Sequence, residues 1–197
     1  MRRVTSTLLL ALLLPLTGMA APVTYNFDPF HSFPSFTVHY LNAFNIEGRF
    51  DKMTGELVLD QAAKTGSIEA KIATASVSTG DAKRADGKRS RDDHLRTADF
   101  FNSAEFPEMV FKSTKFNFKG DEVESIDGTL TLLGVTKPVK LTMTSFRCGP
   151  HPFSKQPMCG ANAATTIKRS DFGMKYGIGA ISDDIKINIG ILAYPKS

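Results

Sequence analysis

The sequence predicts an all-β fold: eight antiparallel strands closed into a barrel, with a short helix in the connection between strands 3 and 4. Three observations carry this expectation. Segment after segment alternates apolar and polar residues with a period of two, the signature of a strand buried on one face. The connections, among them "LNAFN", "QAAKTG", "KGDE" and "LLGVT", are short and mostly hold Gly, Asn or Asp, which favours antiparallel neighbours. One long stretch, residues 79–101, breaks the alternation. Eight strands of about ten residues suit a closed barrel, which leaves no exposed edge. Two packed sheets are the rival arrangement. A barrel of this size is either filled by side chains or holds one small ligand.

The first 20 residues stand apart from this pattern. Arg2 and Arg3 precede an apolar run from Leu8 to Leu16, and Gly18 and Ala20 follow. That is the three-part plan of a secretory leader, cut after Ala20. The run is short of the ~20 residues that a membrane span needs; a retained anchor is the alternative. No cysteine follows the expected cut, so no lipid anchor is expected there. Residues 21–197 are then one domain of ordinary size, exported to the periplasm. The formal charge of +4 falls to +2 when Arg2 and Arg3 are removed. That balance argues against a nucleic-acid partner.

The strands follow in order. In 35–40, Phe36, Val38 and Tyr40 share a face. Segments 46–50 and 55–60 come next, broken at 52–54. In 66–77, Ile68, Ala70 and Ile72 oppose Glu69 and Lys71. Segment 109–118 is aromatic and β-branched, and 122–134 leads into 135–146. The last two are 161–173 and 184–194; in the latter, Ile185, Ile187, Ile189 and Ile191 oppose Lys186 and Asn188. Between strands 3 and 4, Ser90 suits a helix cap, with Asp92 and Asp93 in the first turn at the positive end of the dipole. Leu95 and Ala98 then form a small apolar stripe, and Pro107 marks the return of β structure.

Few residues point to chemistry. GxSxG, a P-loop, GxGxxG after a strand and CxxCH are all missing. "GMKYGIG" (173–179) precedes a strand rather than a helix, which argues against a phosphate cradle. His31, His39, His94 and His151 show neither HxH nor HExxH spacing, so no metal site is expected. His94 beside Asp92 and Asp93 forms a candidate acid–base cluster. The simpler reading gives the carboxylates to the helix terminus and lets His94 bond a neighbouring loop. By alternation Arg169 and Asp171 share a face of the seventh strand; they pair with each other, or Arg169 offers its fork to a phosphate. His39 shares a face with Phe33 and Leu41, which is either the outside or a mixed cavity. Cys148 and Cys159 flank a Pro- and Gly-rich loop, and in an oxidising compartment a disulfide is expected of them.

The stretches "DPFHSFPSFTVHY", "IEGRF", "RDDHLRTADFFNSAEFPEMVFKS", "GTLTLLGVTKPVKL" and "RSDFGM" occur in this order along the chain. Together they resemble the YceI-like family of secreted bacterial proteins. The resemblance implies a lipocalin-like barrel whose apolar tunnel holds a polyisoprenoid chain, with a phosphate head or on a quinone. Carried over by position, Arg91, Asp92, His94 and Leu95 match its helix motif, and Phe100 and Phe101 the aromatic pair. Gly128, Leu130, Gly134, Thr136, Lys137 and Pro138 match its fifth-to-sixth-strand hairpin. Arg169, Asp171, Phe172 and Gly173 match the motif before the last strand. The cysteine pair is not part of that pattern.

The expected ligand contacts are therefore His39, Arg91, His94, Phe100, Phe101, Arg169, Asp171, Phe172, Ile187 and Ile189. Each buried CH₂ of such a ligand is worth ~0.8 kcal/mol. The Phe-rich strands and the isoleucine stripe supply the lining, with room left by Ala70, Ala73, Ala75, Ala163 and Ala164. The leading expectation is a non-catalytic periplasmic carrier of a polyisoprenoid or isoprenoid quinone. It makes transient inner-membrane contact and is a monomer or homodimer. The alternatives are an enzyme using His94 with Asp92 or Asp93, and a packed structural barrel of the stress response.

Overall fold

The computed structural model describes residues 21–196, so the expected leader lies outside the described residues. The strands are β1 (Val23–Phe27), β2 (Phe33–Tyr40), β3 (Phe44–Phe50), β4 (Met53–Asp60), β5 (Thr65–Ala73) and β6 (Val77–Ser78), then β7 (Glu108–Lys119), β8 (Glu122–Leu132), β9 (Val135–Pro150), β10 (Pro157–Lys168) and β11 (Asp184–Pro195). One helix, α1 (Arg91–Leu95), lies between β6 and β7.

The sheet closes on itself, because β1 pairs with β4 on one side and with β11 on the other. Eleven strands make eight staves. β1 and β2 run end to end along β11. β3 and β4 pair with β2 and β1 and form the second stave. β5 and β6 pair with β4 and β3 and form the third. The other five staves are unbroken, so α1 lies between the third and fourth staves, as expected.

The break in the first stave has a local cause. Pro29 has no N–H to give to a ladder, and the chain bulges through Asp28–Ser32. The buried Ser32 hydroxyl then takes the place of a ladder partner, donating to Leu192 O at 3.0 Å and accepting from Leu192 N at 3.1 Å. The alternation Val23, Tyr25 and Phe27 against Thr24 and Asn26 marks β1 as a strand of its own, which the sequence reading did not single out. At the other extreme, the segment expected to be extended over 161–173 is β10 only to Lys168. It then tightens into a 3-10 turn at Arg169–Phe172, closed by Gly173 in the left-handed region at φ 88°.

α1 begins as its sequence demands, with the Ser90 hydroxyl accepting from Asp93 N at 3.0 Å. It is a single turn: Leu95 ends it, and Ala98, expected on its apolar stripe, lies beyond it and is exposed. The expected disulfide between Cys148 and Cys159 is formed, joining directly opposed residues of β9 and β10. At the barrel end near this bridge the interior is solid, filled by Phe27, Leu57, Phe116, Val123, Ile126 and Ala193. The end covered by α1 is different.

Candidate functional site

Between that solid plug and α1 the barrel is hollow. The cavity measures about 480 Å³. Period-two alternation sends one face of every stave inward: Phe36 and Val38 from β2, Ile46 and Phe50 from β3, Ile72 from β5, Phe111 from β7. β11 contributes the whole stripe Ile185, Ile187, Ile189 and Ile191. From Ile185 to Ile191 the strand rises about 20 Å, or roughly 15 Å along the axis of a barrel whose strands tilt by about 40°. A smaller chamber of about 30 Å³ continues toward the disulfide, sharing Ile68, Leu141, Ile189 and Ile191 with the larger cavity and reaching Ala161 and Ala163. Ala70 lines the main cavity. Ala73, Ala75 and Ala164, expected to leave room, line neither.

The width of the hollow depends on close packing against its wall. Phe36 stands opposite Gly48 in the β2–β3 ladder. Its ring occupies the place where a Cβ would be, with Cζ 2.4 Å from that point. Glycine thus lets the ring lie flat instead of projecting into the lumen. Phe36, Phe50 and Phe101 then follow one another inward, with ring centroids 5.8 and 5.1 Å apart.

Polar side chains gather at the α1 end: Thr79, Arg91, His94, Arg169 and Tyr176 all reach the cavity there. Most are committed within the protein. Arg169 is only 2 % exposed. Its Nε donates to Ser182 O at 2.9 Å, Nη1 to Met174 O at 3.1 Å and Tyr176 O at 2.8 Å, and Nη2 to Ile181 O at 3.1 Å. It is the post around which the 173–183 loop folds. Burial pulls its guanidinium below the usual range and Asp183 pulls it back. Asp183 is itself held below the ordinary carboxylate range, chiefly by the Ser170 hydroxyl, which donates to it at 2.7 Å.

The His94 environment departs from the acid–base cluster that the sequence suggested. His94 Nε2 lies 2.7 Å from Oδ2 of Asp99, a residue the sequence reading did not single out. Asp92 is buried and accepts from Thr79 N at 2.8 Å and Thr79 Oγ1 at 2.6 Å. Asp93 pairs with Arg96 at 3.0 Å. The His94 ring stands edge-on to Phe100 and Tyr176, with centroids 5.0 and 5.1 Å away. Two groups remain without such commitments. The Arg91 guanidinium is in none of the ion pairs found among the described residues, and the Tyr176 hydroxyl makes no hydrogen bond there.

The structure therefore brings together Arg91, His94, Phe100, Phe101, Arg169, Ile187 and Ile189 around one cavity. The other three expected contacts lie elsewhere. His39 is exposed on the outer face of β2, its Nδ1 3.1 Å from Asn45 Oδ1. Asp171 is exposed and does not share a strand face with Arg169, because the 3-10 turn cancels the alternation that paired them. Phe172 is packed in the core outside the cavity. Thr79, Tyr176 and Asp99 were missed. They lie in loops, where no period sets orientation, and Tyr176 sits in the glycine-rich "GMKYGIG" stretch. Among the described residues no group of three or more His, Cys, Asp or Glu is placed to hold a metal ion.

Comparison with known proteins places this architecture. The YceI-like domain matches residues 25–193. Protein YceI of Salmonella newport is 34% identical over 185 residues, covering 92% of this chain and 92% of that one. The crystal structure of Burkholderia cenocepacia BcnA superposes with a TM-score of 0.66 at 22% identity, over 84% of this chain and 98% of that one. A polyisoprenoid binding domain from Saccharophagus degradans, implicated in plant cell wall breakdown, superposes with a TM-score of 0.61 at 17% identity, over 88% and 99%. At such identities these two likenesses establish the fold.

Proposed function

The chain belongs to the YceI-like family, and from that premise we propose that it is a non-catalytic carrier or reservoir for a polyisoprenoid lipid, as an isoprenoid phosphate or quinone, exported to the periplasm. The single observation that carries this reading is the cavity of about 480 Å³, lined mainly by Phe, Ile, Leu and Met, with its charged side chains gathered at one end. A flexible apolar chain with one polar head has that distribution. At ~0.8 kcal/mol per buried CH₂, a few isoprene units supply ample driving force for sequestration. Arg91 and Tyr176 are the side chains free to meet a phosphate or quinone oxygen at the mouth. The polyisoprenoid binding described for the Saccharophagus domain supports the same ligand class.

The catalytic alternative loses its expected partners, since Asp92 and Asp93 are engaged elsewhere. What remains is the His94–Asp99 pair, and its position beside Phe100 and Tyr176 suits orientation of a head group equally well. Native mass spectrometry of protein purified from its own host tests the carrier reading. An extractable isoprenoid, or saturable uptake of an added polyprenol, is the expected result; neither, from a folded protein, overturns it. His94→Ala separates the alternatives. As a head-group contact it weakens ligand uptake and costs about 1 kcal/mol of stability. As a catalytic group it abolishes a turnover while leaving uptake intact.

A further inference from the structure

The loops around the α1 end do more than frame a cavity; they expose apolar side chains directly beside it. Leu41 is 57 % exposed, Phe44 52 %, Tyr176 49 % and Ile178 49 %. They belong to one surface. The β2–β3 turn is tied to the 173–183 loop by Leu41 N donating to Ala180 O at 2.6 Å and by the Tyr40–Ile181 bridge. Ile178 bridges Ile181, and the Phe44 ring leans on Tyr40 at 5.7 Å. Phe44 and Tyr176 are also cavity-lining residues, so the exposed patch is continuous with the tunnel wall.

Leu41 carries a second signal. It and Asn42 sit at φ 53° and 51°, the two central positions of a tight turn. Gly, Asn and Asp fill such positions with little strain, and leucine does not. Leu133 adopts a similar φ of 51° in the β8–β9 turn, but there it packs against the core. Leu41 is not packed against the core among the described residues and is largely exposed.

Charge on this side completes the pattern. The segment 81–91, folded onto the start of α1, has Lys83, Arg84, Lys88, Arg89 and Arg91 against Asp81 and Asp86. Lys175 adds an exposed cation in the opposite loop. Within segment 81–91, Arg84 pairs with Asp81 and Asp86, and Lys88 lies near Asp86, which leaves Lys83, Arg89 and Arg91 outside the ion pairs among the described residues. Of the other carboxylates at this end, Asp93 and Asp184 pair with Arg96 and Lys168, Asp99 with His94 and Asp183 with the Ser170 hydroxyl, while Asp171 is exposed.

We propose that this end of the barrel docks on an anionic lipid surface, with Leu41, Phe44, Tyr176 and Ile178 entering the interface and the basic segment 81–91 lying on the head groups, so that the tunnel opens into the membrane. The proposal rests on the carrier reading and says where its cargo is exchanged. An isoprenoid is insoluble in water, and a mouth sealed against lipid lets the chain slide between two apolar phases without crossing the aqueous one. Apolar insertion plus electrostatic attraction is the usual basis of reversible peripheral binding.

The test is flotation with vesicles of phosphatidylcholine alone and of phosphatidylcholine with phosphatidylglycerol, beside uptake of geranylgeraniol from detergent micelles. Neither Leu41 nor Ile178 lines the tunnel, so Leu41→Asp/Ile178→Asp leaves micelle uptake unchanged. Its partition onto anionic vesicles falls at least about tenfold per buried side chain lost. Phe153, 89 % exposed at the opposite hairpin tip, serves as control: Phe153→Asp floats like the parent. Raised salt releases the parent, by about fivefold per cation screened. The proposal is overturned if the parent ignores anionic vesicles while taking up geranylgeraniol. It is also overturned if the double variant floats undiminished, or if the parent elutes as a dimer that the double variant dissolves, since a second copy then covers the patch. Failure of micelle uptake itself removes the carrier reading beneath it.

Discussion

Gly48→Ala separates the calibre of the tunnel from the stability of the barrel. The new Cβ would lie 2.4, 2.8 and 3.0 Å from three atoms of the Phe36 ring. Ordinary carbon contacts begin near 3.5 Å, so the ring must retreat by about 1 Å. The three nearest atoms all belong to that side chain, and the hollow is the side toward which it can move. A χ adjustment of that kind costs about 0.5–1.5 kcal/mol, so the empty protein melts within a few degrees of its parent. The larger cost falls on the ligand. Losing the space of two or three methylenes removes about 2 kcal/mol of burial, near thirtyfold in affinity. Titration of geranylgeraniol and of a longer polyprenol, read by displacement of a fluorescent fatty acid, measures it. Phe36→Leu added to Gly48→Ala restores binding. Gly128→Ala is the counter-case. There the Cβ would meet the Lys112 carbonyl at 2.5 Å, a ladder group that cannot yield. This variant loses about 1–3 kcal/mol of stability. If Gly48→Ala binds like the parent, or if the two glycines behave alike, the argument from ring packing is wrong.

Arg169→Met abandons four carbonyl acceptors in a buried site, and the fold should lose at least about 1–3 kcal/mol, the cost of a buried acceptor left unsatisfied, read by denaturant titration; a loss under about 1 kcal/mol would mean that the 173–183 loop is held by other contacts. Ser170→Ala weakens the hydrogen bonding that keeps Asp183 below the ordinary carboxylate range. A depressed folded value stabilises above the unfolded pKa of about 3.9 and loses that contribution as pH falls through the folded value. The gap in melting temperature between parent and Ser170→Ala should therefore shrink on acidification from pH 5 toward about pH 2; a gap that widens contradicts the assignment. Cys148→Ala/Cys159→Ala should cost about 2–3 kcal/mol and leave polyprenol uptake intact, because the bridge staples one hairpin at the solid end; lost uptake would show that the bridge shapes the cavity.

What was legible in the sequence follows the reach of its periodicities. Ile185, Ile187, Ile189 and Ile191 were placed on one face by alternation alone, and all four line the cavity. Ser90 was recognisable as a cap because the demand of a helix start is local. Arg169 and Asp171 show the limit: the same alternation placed them side by side, but a 3-10 turn rotates each residue by about 120° instead of 180°, and one is buried while the other faces solvent. His39 was ambiguous for a different reason. Alternation states that its neighbours point the other way without stating which way is in. Tyr176 reaches the mouth, and Asp99 reaches His94, through loops whose shape is set by Arg169 and by the turn after α1, contacts unmarked by any period.

Two alanines give this tunnel a depth gauge. Ala70 lines the main cavity and Ala163 the inner chamber of about 30 Å³. Both are buried, at positions where a larger side chain has no outlet but the lumen. Ala70→Phe obstructs the cavity itself and should abolish uptake of any prenol, since a ring there meets Phe111 and Ile72 on neighbouring positions. Ala163→Leu fills only the inner chamber. A short prenol that stays within the main cavity should bind the Ala163→Leu protein as it binds the parent. A long one that threads on into the inner chamber loses the burial of its last methylenes, about 0.8 kcal/mol for each CH₂ excluded. The chain length at which the two proteins begin to differ then measures how far the ligand reaches. If Ala163→Leu weakens every prenol equally, the inner chamber belongs to the packing of the core and the tunnel ends with the main cavity, at Ile191.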